Sequence, residues 1–441
     1  MSVNDFATRN TTSSQEAAEA AIARYEQTEE LIQAFAHLDK EQVRRVAQEQ
    51  ENNTGPLKGL VIGIKDLINT ADAPTTYGSP IYRDNRPTQD AAIVQALCAA
   101  GAVPFGKTVT TEFALFSPPK TCNPWNLEHT PGGSSSGSAA AVAANVVPVA
   151  LGTQTAGSVV RPATFCGIYG FKPSFGALPS SGLKTISPSL DTVGILGQRL
   201  DDMRRVFNAL RSTPEVSQVL LQAPLRLSFL HTPWWEDIAK DLRDRLEASI
   251  SLLETDDGQF EVQLSDKDSL FGELTHAQQA VMGAEVLIHL SHERQQHLEL
   301  LSPALQTYLD KCAQTQPAEL IQAQGLINQV KRHPELIFGD ADLILSAAAL
   351  GEAPTRDTTG DPVLCRAWTA LGIPCINLPI GLLAGAGLST DEILALSSAV
   401  ASTSRNLPSD PAALSAFSYA AFWVSFSHSN RSAGNSARSR S

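Results

Sequence analysis

Between Thr130 and Val160 the chain carries not one charged side chain, and that stretch limits the fold more than any other feature of the sequence. A run so free of charge belongs either in a bilayer or in the interior of a protein. A bilayer span asks for about 20 predominantly apolar residues. Here Gly132, Gly133, Asn145, Pro148, Gly152, Gln154 and Gly157 interrupt the run, and serines crowd its start. The stretch therefore reads as two glycine/serine loops around a small-residue helix and an apolar strand, all covered by protein and not by membrane. The remainder is large enough to cover it: of 441 residues, 43% are hydrophobic and 18% charged, the balance of a globular protein with a sizeable core.

Short apolar strands and helical stretches alternate along the chain. Ser13 and Glu16 form a capping-box pattern that opens a helix expected to reach about Leu38, and a second helix covers Glu41 to Glu51. Asn52-Asn53-Thr54-Gly55-Pro56 breaks the chain. Leu60 to Ile64 is an apolar run of the buried-strand kind, ending in Lys65-Asp66. Ala91 to Ala100 reads as a helix stopped by Gly101, followed by a strand from Ala102 to Phe105. After the loop at 132–138 come a compact helix at Ala139 to Asn145, a strand at Val146 to Leu151 and a loop from Gly152 to Ser158. Asp237 to Val330 is predominantly helical, and Ala341 to Leu345 and Ile373 to Leu378 return as strands. This order predicts an α/β layered fold on a mostly parallel or mixed sheet. No linker or repeat divides it, so one large domain is expected over residues 1–426. Ser427 to Ser441 holds six serines and three arginines with almost nothing apolar, a composition expected to be disordered.

The formal net charge of −13 argues against a nucleic-acid binder and against a polybasic membrane surface. The six cysteines, at 98, 122, 166, 312, 365 and 375, form no C-x-x-C pair and no zinc spacing. They read as reduced thiols of a cytoplasmic protein, and Met1 to Thr12 lacks the pattern of a secretory signal. His289, His292 and Glu293 are in the wrong order for a zinc protease helix; with Glu285 and Arg294 nearby they read as a polar helix face. His129, close to the first serine loop, reads as a surface loop residue.

Two glycine/serine loops remain: Pro131-Gly132-Gly133-Ser134-Ser135-Ser136-Gly137-Ser138, and Gly152-Thr153-Gln154-Thr155-Ala156-Gly157-Ser158 followed by Val159-Val160-Arg161-Pro162. Either alone is common turn material. Together with a lysine ending a buried strand, and with Ser158 lying 24 residues after Ser134, they are far more specific. The combination resembles the amidase signature family over roughly residues 15 to 380. The resemblance is strongest over 55–200, and its most diagnostic part runs from 131 to Phe165-Cys166-Gly167-Ile168-Tyr169-Gly170-Phe171-Lys172-Pro173. It implies a single α/β/α domain with a central mixed sheet. It also implies a Ser-cisSer-Lys triad, with Ser158 as nucleophile, Ser134 after a cis peptide bond as proton relay, Lys65 as base and Gly132 and Gly133 as the supporting loop. The backbone N–H groups of Thr155, Ala156, Gly157 and Ser158 would form the oxyanion hole. Where many members have aspartate and glycine, this chain has Gln154 and Ala156. The chemistry is coherent: a serine hydroxyl needs an adjacent base, and a lysine becomes one when desolvation lowers its pKa.

The implied activity is hydrolysis of a small carboxamide through a Ser158 acyl-enzyme, with no metal or organic cofactor. Similar proteins commonly pair, which leaves a homodimer open. Three other readings compete. Gly133-Ser134-Ser135-Ser136-Gly137 also fits the G-x-S-x-G nucleophile elbow, but Asn123 to Pro131 reads as a loop where that motif needs a strand. The chain could be the glutaminase subunit of a tRNA-dependent amidotransferase, although Phe175 to Leu183 does not look like that subunit. It could also be an inactive or destabilised relative. The resemblance stops near Gly381, where Leu388-Ser389-Thr390-Asp391-Glu392 replaces an expected strand, and a shifted reading frame could explain the end. A missing strand would leave an unpaired sheet edge.

Overall fold

The computed structural model describes residues 13–211, 224–254, 260–379 and 420–425. Its strands are, in chain order, β1 (Phe35–His37), β2 (Val61–Lys65), β3 (Val103–Thr108), β4 (Val149–Gln154), β5 (Tyr169–Lys172), β6 (Thr192–Gly197), β7 (Leu225–Phe229), β8 (Phe260–Leu264), β9 (Leu343–Ala347), β10 (Cys375–Pro379) and β11 (Ala420–Ser425). They lie side by side in the order β1-β3-β2-β4-β6-β5-β10-β11-β9-β7-β8. The sheet is mixed: β2 runs parallel to β3 and β4, whereas β4, β6, β5 and β10 alternate in direction.

Every residue of β2 and β4 is buried, because helices cover both faces. That is why these strands read as unbroken apolar runs and not as alternating ones. Side chains still point to opposite faces in turn. Val61 packs with α1 (Ser14–Ile32), α2 (Lys40–Glu49) and, further along the chain, the helix Ser136–Ala143. Ile62 and Ile64 pack on the other face against Ile93, Val94 and Leu97 of α3 (Ala92–Ala99). Burying each such side chain fully contributes about 1.5–3 kcal/mol. The helix Ser136–Ala143, α4, is followed by α5 (Val160–Cys166), and the two bracket β4. A third buried cluster lies under the long helix Asp268–His289 and holds Trp368 at its centre, against Phe271.

Several boundaries differ from the sequence reading. The first helix stops at Ile32 and not near Leu38, because Gln33 turns left-handed at φ 53° and the Glu29 carboxylate accepts the N–H groups of Ala34 and Phe35. Phe35–His37 then pairs with β3. The strand expected at Val146 to Leu151 is shifted to Val149–Gln154, since Asn145 at φ 62° turns the chain first. α4 starts at Ser136 rather than Ala139, so half of the first serine loop is helix. Phe260–Leu264 forms a strand within the predominantly helical middle. Residues 420–425 pair parallel with both β10 and β9, so β10 is not an unpaired edge. The expectations for Leu388 to Glu392 and for the 427–441 tail fall outside the described residues.

Gly137 shows how tightly α4 is seated. Its N–H donates to the Val109 carbonyl at 2.9 Å, and a Cβ there would lie 2.1 Å from the Ala34 oxygen and 2.3 Å from the Val109 nitrogen. Both are backbone atoms, so the helix would have to move. Gly137→Ala is therefore expected to cost about 1–3 kcal/mol of stability, read as a lowered urea midpoint; an unchanged midpoint would show that α4 is not held there.

Candidate active site

Burial decides the state of Lys65. It ends β2 with its ammonium position fully enclosed, and desolvation pushes its pKa well below the ordinary lysine value, opposed only by the more distant charge of Asp191. Its Nζ has three oxygen neighbours: Ser134 Oγ at 2.7 Å, Thr153 Oγ1 at 2.8 Å and Thr153 O at 3.3 Å. A neutral amine has two N–H donors and one lone pair. It can donate to the two Thr153 oxygens and accept the Ser134 proton, which uses all three. Lys107 and Lys172 are also buried, but they bind elsewhere: Lys107 with Asp66, Thr75 and the Ile68 carbonyl, Lys172 with the Pro173 carbonyl. Among the described residues, Lys65 is the buried lysine that reaches a loop serine.

Ser134 is singled out in the same way. The Ser135 hydroxyl is tied to the backbone of Thr153, that of Ser136 to the Gly132 carbonyl, and that of Ser138 to the Leu151 carbonyl and Thr108. Ser135, the residue an elbow would use as nucleophile, is thus committed to structure, and no strand runs directly into the loop. The Gly133–Ser134 peptide bond is cis. Arg161 Nη2 donates to the Gly133 carbonyl at 2.7 Å, while Arg161 Nε donates to the Thr359 carbonyl at 2.9 Å. Gly132, at φ 82°, could carry no Cβ without meeting Pro162 Cα and Phe165 Cδ2 at 2.9 Å.

The second loop leaves β4 and enters α5. Gln154 shapes the join: its Oε1 accepts the N–H groups of Val159 at 2.9 Å and Val160 at 3.1 Å, and its Nε2 donates to Thr369 Oγ1 at 3.0 Å. Among the described residues, the N–H groups of Thr155, Ala156, Gly157 and Ser158 meet no acceptor. The loop is braced from outside by Asp191, which accepts from Thr155 Oγ1 and from the N–H groups of Ile186 and Ser187, and by Gln278, which donates to the Thr155 carbonyl. The Ser158 carbonyl accepts the Ser135 N–H at 3.3 Å, joining the two loops. Ser134 and Ser158 open into one pocket, walled by Leu115, Phe116, Met282, Arg161, Arg366 and Pro362. Among the described residues, the Ser158 hydroxyl makes no hydrogen bond, so Lys65 and Ser134 are in contact and Ser158 stands beside them with its oxygen free.

Sequence reading passed over Asp191, Gln278 and Arg366. Each lies far along the chain from the loops it supports and belongs to no motif. His129 is half-buried and bonds the Ala353 carbonyl, away from the pocket. Glu293 is not on a polar face: it is buried, paired with Lys184 and hydrogen-bonded by Tyr82. No cluster of metal-ligating side chains occurs among the described residues, and no described helix is long and apolar enough to cross a membrane.

Residues 16–377 match the model of the family described as Amidase. The A subunit of glutamyl-tRNA(Gln) amidotransferase from Geobacillus kaustophilus is 41% identical over 214 residues, 46% of this chain and 44% of that one. The same subunit from Natranaerobius thermophilus is 34% identical over 273 residues, 56% of each chain. The chain thus spans about half the length of the curated relatives it matches. Peptide amidase from Stenotrophomonas maltophilia superposes with a TM-score of 0.70 at 24% identity, covering 85% of this chain and 90% of that one, a likeness of fold.

Gln154 accepts twice through Oε1 and donates once through Nε2 inside the protein, so Gln154→Leu leaves the N–H groups of Val159 and Val160 without an acceptor, whereas the Thr369 hydroxyl keeps the Ala156 carbonyl. Each unsatisfied group costs about 1–3 kcal/mol. Denaturant unfolding is expected to show at least the lower figure; stability equal to the parent would mean that Gln154 does not brace the loop.

Proposed function

The chain belongs to the amidase family, and from that premise we propose that it hydrolyses a small carboxamide through an acyl-enzyme on Ser158. The observation that carries this reading is the 2.7 Å contact between the buried Lys65 amine and the Ser134 hydroxyl. Burial favours the neutral form of this amine, which can accept a proton, and Ser134 is placed to pass one to it. Ser158 Oγ attacks the amide carbonyl carbon and gives its proton to Ser134 Oγ, whose own proton moves to Lys65 Nζ. The carbonyl oxygen takes the negative charge. The free N–H groups of Thr155, Ala156, Gly157 and Ser158 are the donors that meet it, and one such donor is worth about 2.7–4 kcal/mol. Collapse breaks the C–N bond, and the nitrogen leaves as ammonia or amine with the proton returned through Ser134. Water, deprotonated along the same path, then releases the carboxylate. Side chains supply all the acid–base roles.

Two forms of this activity are compatible with the site: a free-standing amidase, which we favour, and the glutaminase subunit of an amidotransferase. The curated relatives named above favour the second; the Phe175 to Leu183 stretch favours the first. A glutaminase assay together with co-purification of partner subunits separates them.

A fluorophosphonate probe is expected to label Ser158 and to leave Ser158→Ala unlabelled; labelling that survives the substitution would refute the nucleophile. The base makes a second prediction. Lys65 works when neutral, the neutral form accumulates above its pKa, and burial lowers that pKa. The rising limb of kcat/KM against pH is therefore expected well below the ordinary lysine value of about 10.4. Lys65→Met is expected to lower turnover by about 100- to 10,000-fold. A limb centred at the ordinary lysine value, or near-normal turnover by Lys65→Met, would remove Lys65 from the mechanism.

A further inference from the structure

Two threonines at the end of β4, two residues apart, hold an amine on one and a carboxylate on the other. Thr153 Oγ1 lies 2.8 Å from Lys65 Nζ, and Thr155 Oγ1 donates to Asp191 Oδ1 at 2.6 Å. Sheet register explains the arrangement. β2 pairs with β4 on one side and ends in Lys65, whereas β6 pairs with β4 on the other, with Gln154 opposite Thr192. Asp191, one residue before β6, therefore stands across from Thr155. The amine and the carboxylate reach the reaction loop from two different strands.

Asp191 is built to keep a negative charge in that place. Its N–H donates to the Ser187 carbonyl at 2.8 Å, closing a turn that folds the carboxylate back on the chain. Oδ2 then accepts the N–H groups of Ile186 at 2.9 Å and Ser187 at 3.0 Å. Two of its three partners are backbone N–H groups, which can only donate, so the ionised carboxylate satisfies them all. Burial raises the Asp191 pKa, opposed first by the Thr155 hydrogen bond, then by the two N–H groups and the Lys65 charge. From the helix Asp268–His289, Glu285 accepts the Ser187 hydroxyl and the Ser189 N–H on the far side of the same turn, and its charge acts on Lys331. Among the described residues no cation forms an ion pair with Asp191 and no carboxylate forms one with Lys65. Each nevertheless feels the charge of the other.

The reaction changes the charge on one side of this arrangement. When Ser134 takes the Ser158 proton and passes its own to Lys65, Nζ becomes an ammonium that donates to Ser134 Oγ and to both Thr153 oxygens. A buried charge is costly unless it is compensated. We propose that Asp191 is a positioning residue for this proton transfer: it supplies the counter-charge to the ammonium that Lys65 becomes and, through the Thr155 hydroxyl, fixes the loop that receives the substrate oxygen. It touches no reacting atom. The proposal rests on the amidase reading above, and one arm of its test needs no turnover.

Asp191→Asn keeps an oxygen for the Thr155 hydroxyl and removes the charge, whereas Thr155→Val keeps the charge and removes the hydrogen bond. The Asp191 charge raises the Lys65 pKa, so its loss lowers that pKa further. In Asp191→Asn the rising limb of kcat/KM is therefore expected at lower pH than in the parent. Plateau kcat is expected to fall by about tenfold, or about 1.4 kcal/mol of barrier. In Thr155→Val the limb is expected to stay in place. A limb unmoved in Asp191→Asn, or moved equally in both variants, overturns the counter-charge. The second arm leaves Asp191 intact and uses Ser158→Ala protein with carbon-13 in its aspartate carboxyl groups. The Asp191 resonance, assigned by its loss in Asp191→Glu, is expected to step at the pH where Lys65 titrates. That step is expected to vanish when Lys65→Met is added. A featureless Asp191 resonance, or a step that survives Lys65→Met, overturns the proposal even where Asp191→Asn does not fold. Failure of the probe to label Ser158 refutes the amidase reading, while the resonance still reads the pairing of Lys65 with Asp191.

Discussion

A primary amine sealed away from water is the constraint on which the rest of this architecture turns. Lys65 touches no carboxylate; its neighbours are a threonine and a serine. Lys107 is enclosed too but faces Asp66, whose charge opposes the lowering by burial that brings it to about 8. Burial drives Lys65 toward its neutral form, and that form uses two acceptors and one donor. Adjacent parallel strands provide the first part, since β2 and β4 pair side by side and bring Thr153 next to Lys65. The first turn before α4 provides the second part through Ser134. Strand pairing, helix placement and side-chain charge state are thus one requirement met three ways.

The walls of the site come from much farther away. Gln154 reaches Thr369, Arg161 reaches Thr359, and Gln278 joins Thr155 to Arg366. Each bond crosses between segments distant in sequence, so the reaction loops are held by buried polar pairs. Such networks favour one arrangement of the loops when every member is satisfied. Two arginines are left incomplete, with Arg161 Nη1 and Arg366 Nε buried and without a hydrogen-bond partner.

Much of the centre was legible in the sequence because local signals agree there. The apolar run before Lys65, the glycines around Ser134 and the charge-free course from Thr130 to Val160 each report their surroundings directly. Boundaries were less legible: Phe35 to His37 looks helical by continuation, and only the left-handed Gln33 and the Glu29 carboxylate divert it. Glu293 looked like part of a solvated face because its partners, Tyr82 and Lys184, lie far upstream. Asp191, Gln278 and Arg366 have no local signature at all. A lone polar residue amid ordinary sequence declares its role only when the fold has chosen its neighbours.

The place of β11 has a consequence for the order of folding. It lies in the interior of the sheet, parallel to β10 on one side and β9 on the other, yet it is made after both. During synthesis the chain can assemble β1 to β6 with β10 as one block and β7 to β9 as another, each ending in an open edge that faces the other. Only the arrival of residues 420–425 closes the gap, by insertion between two edges and not by growth at one. Until then the nascent protein holds two templates for wrong pairing. The interval between emergence of β10 and emergence of β11 is therefore when a chaperone has most to protect, and a ribosome that pauses there prolongs the exposure.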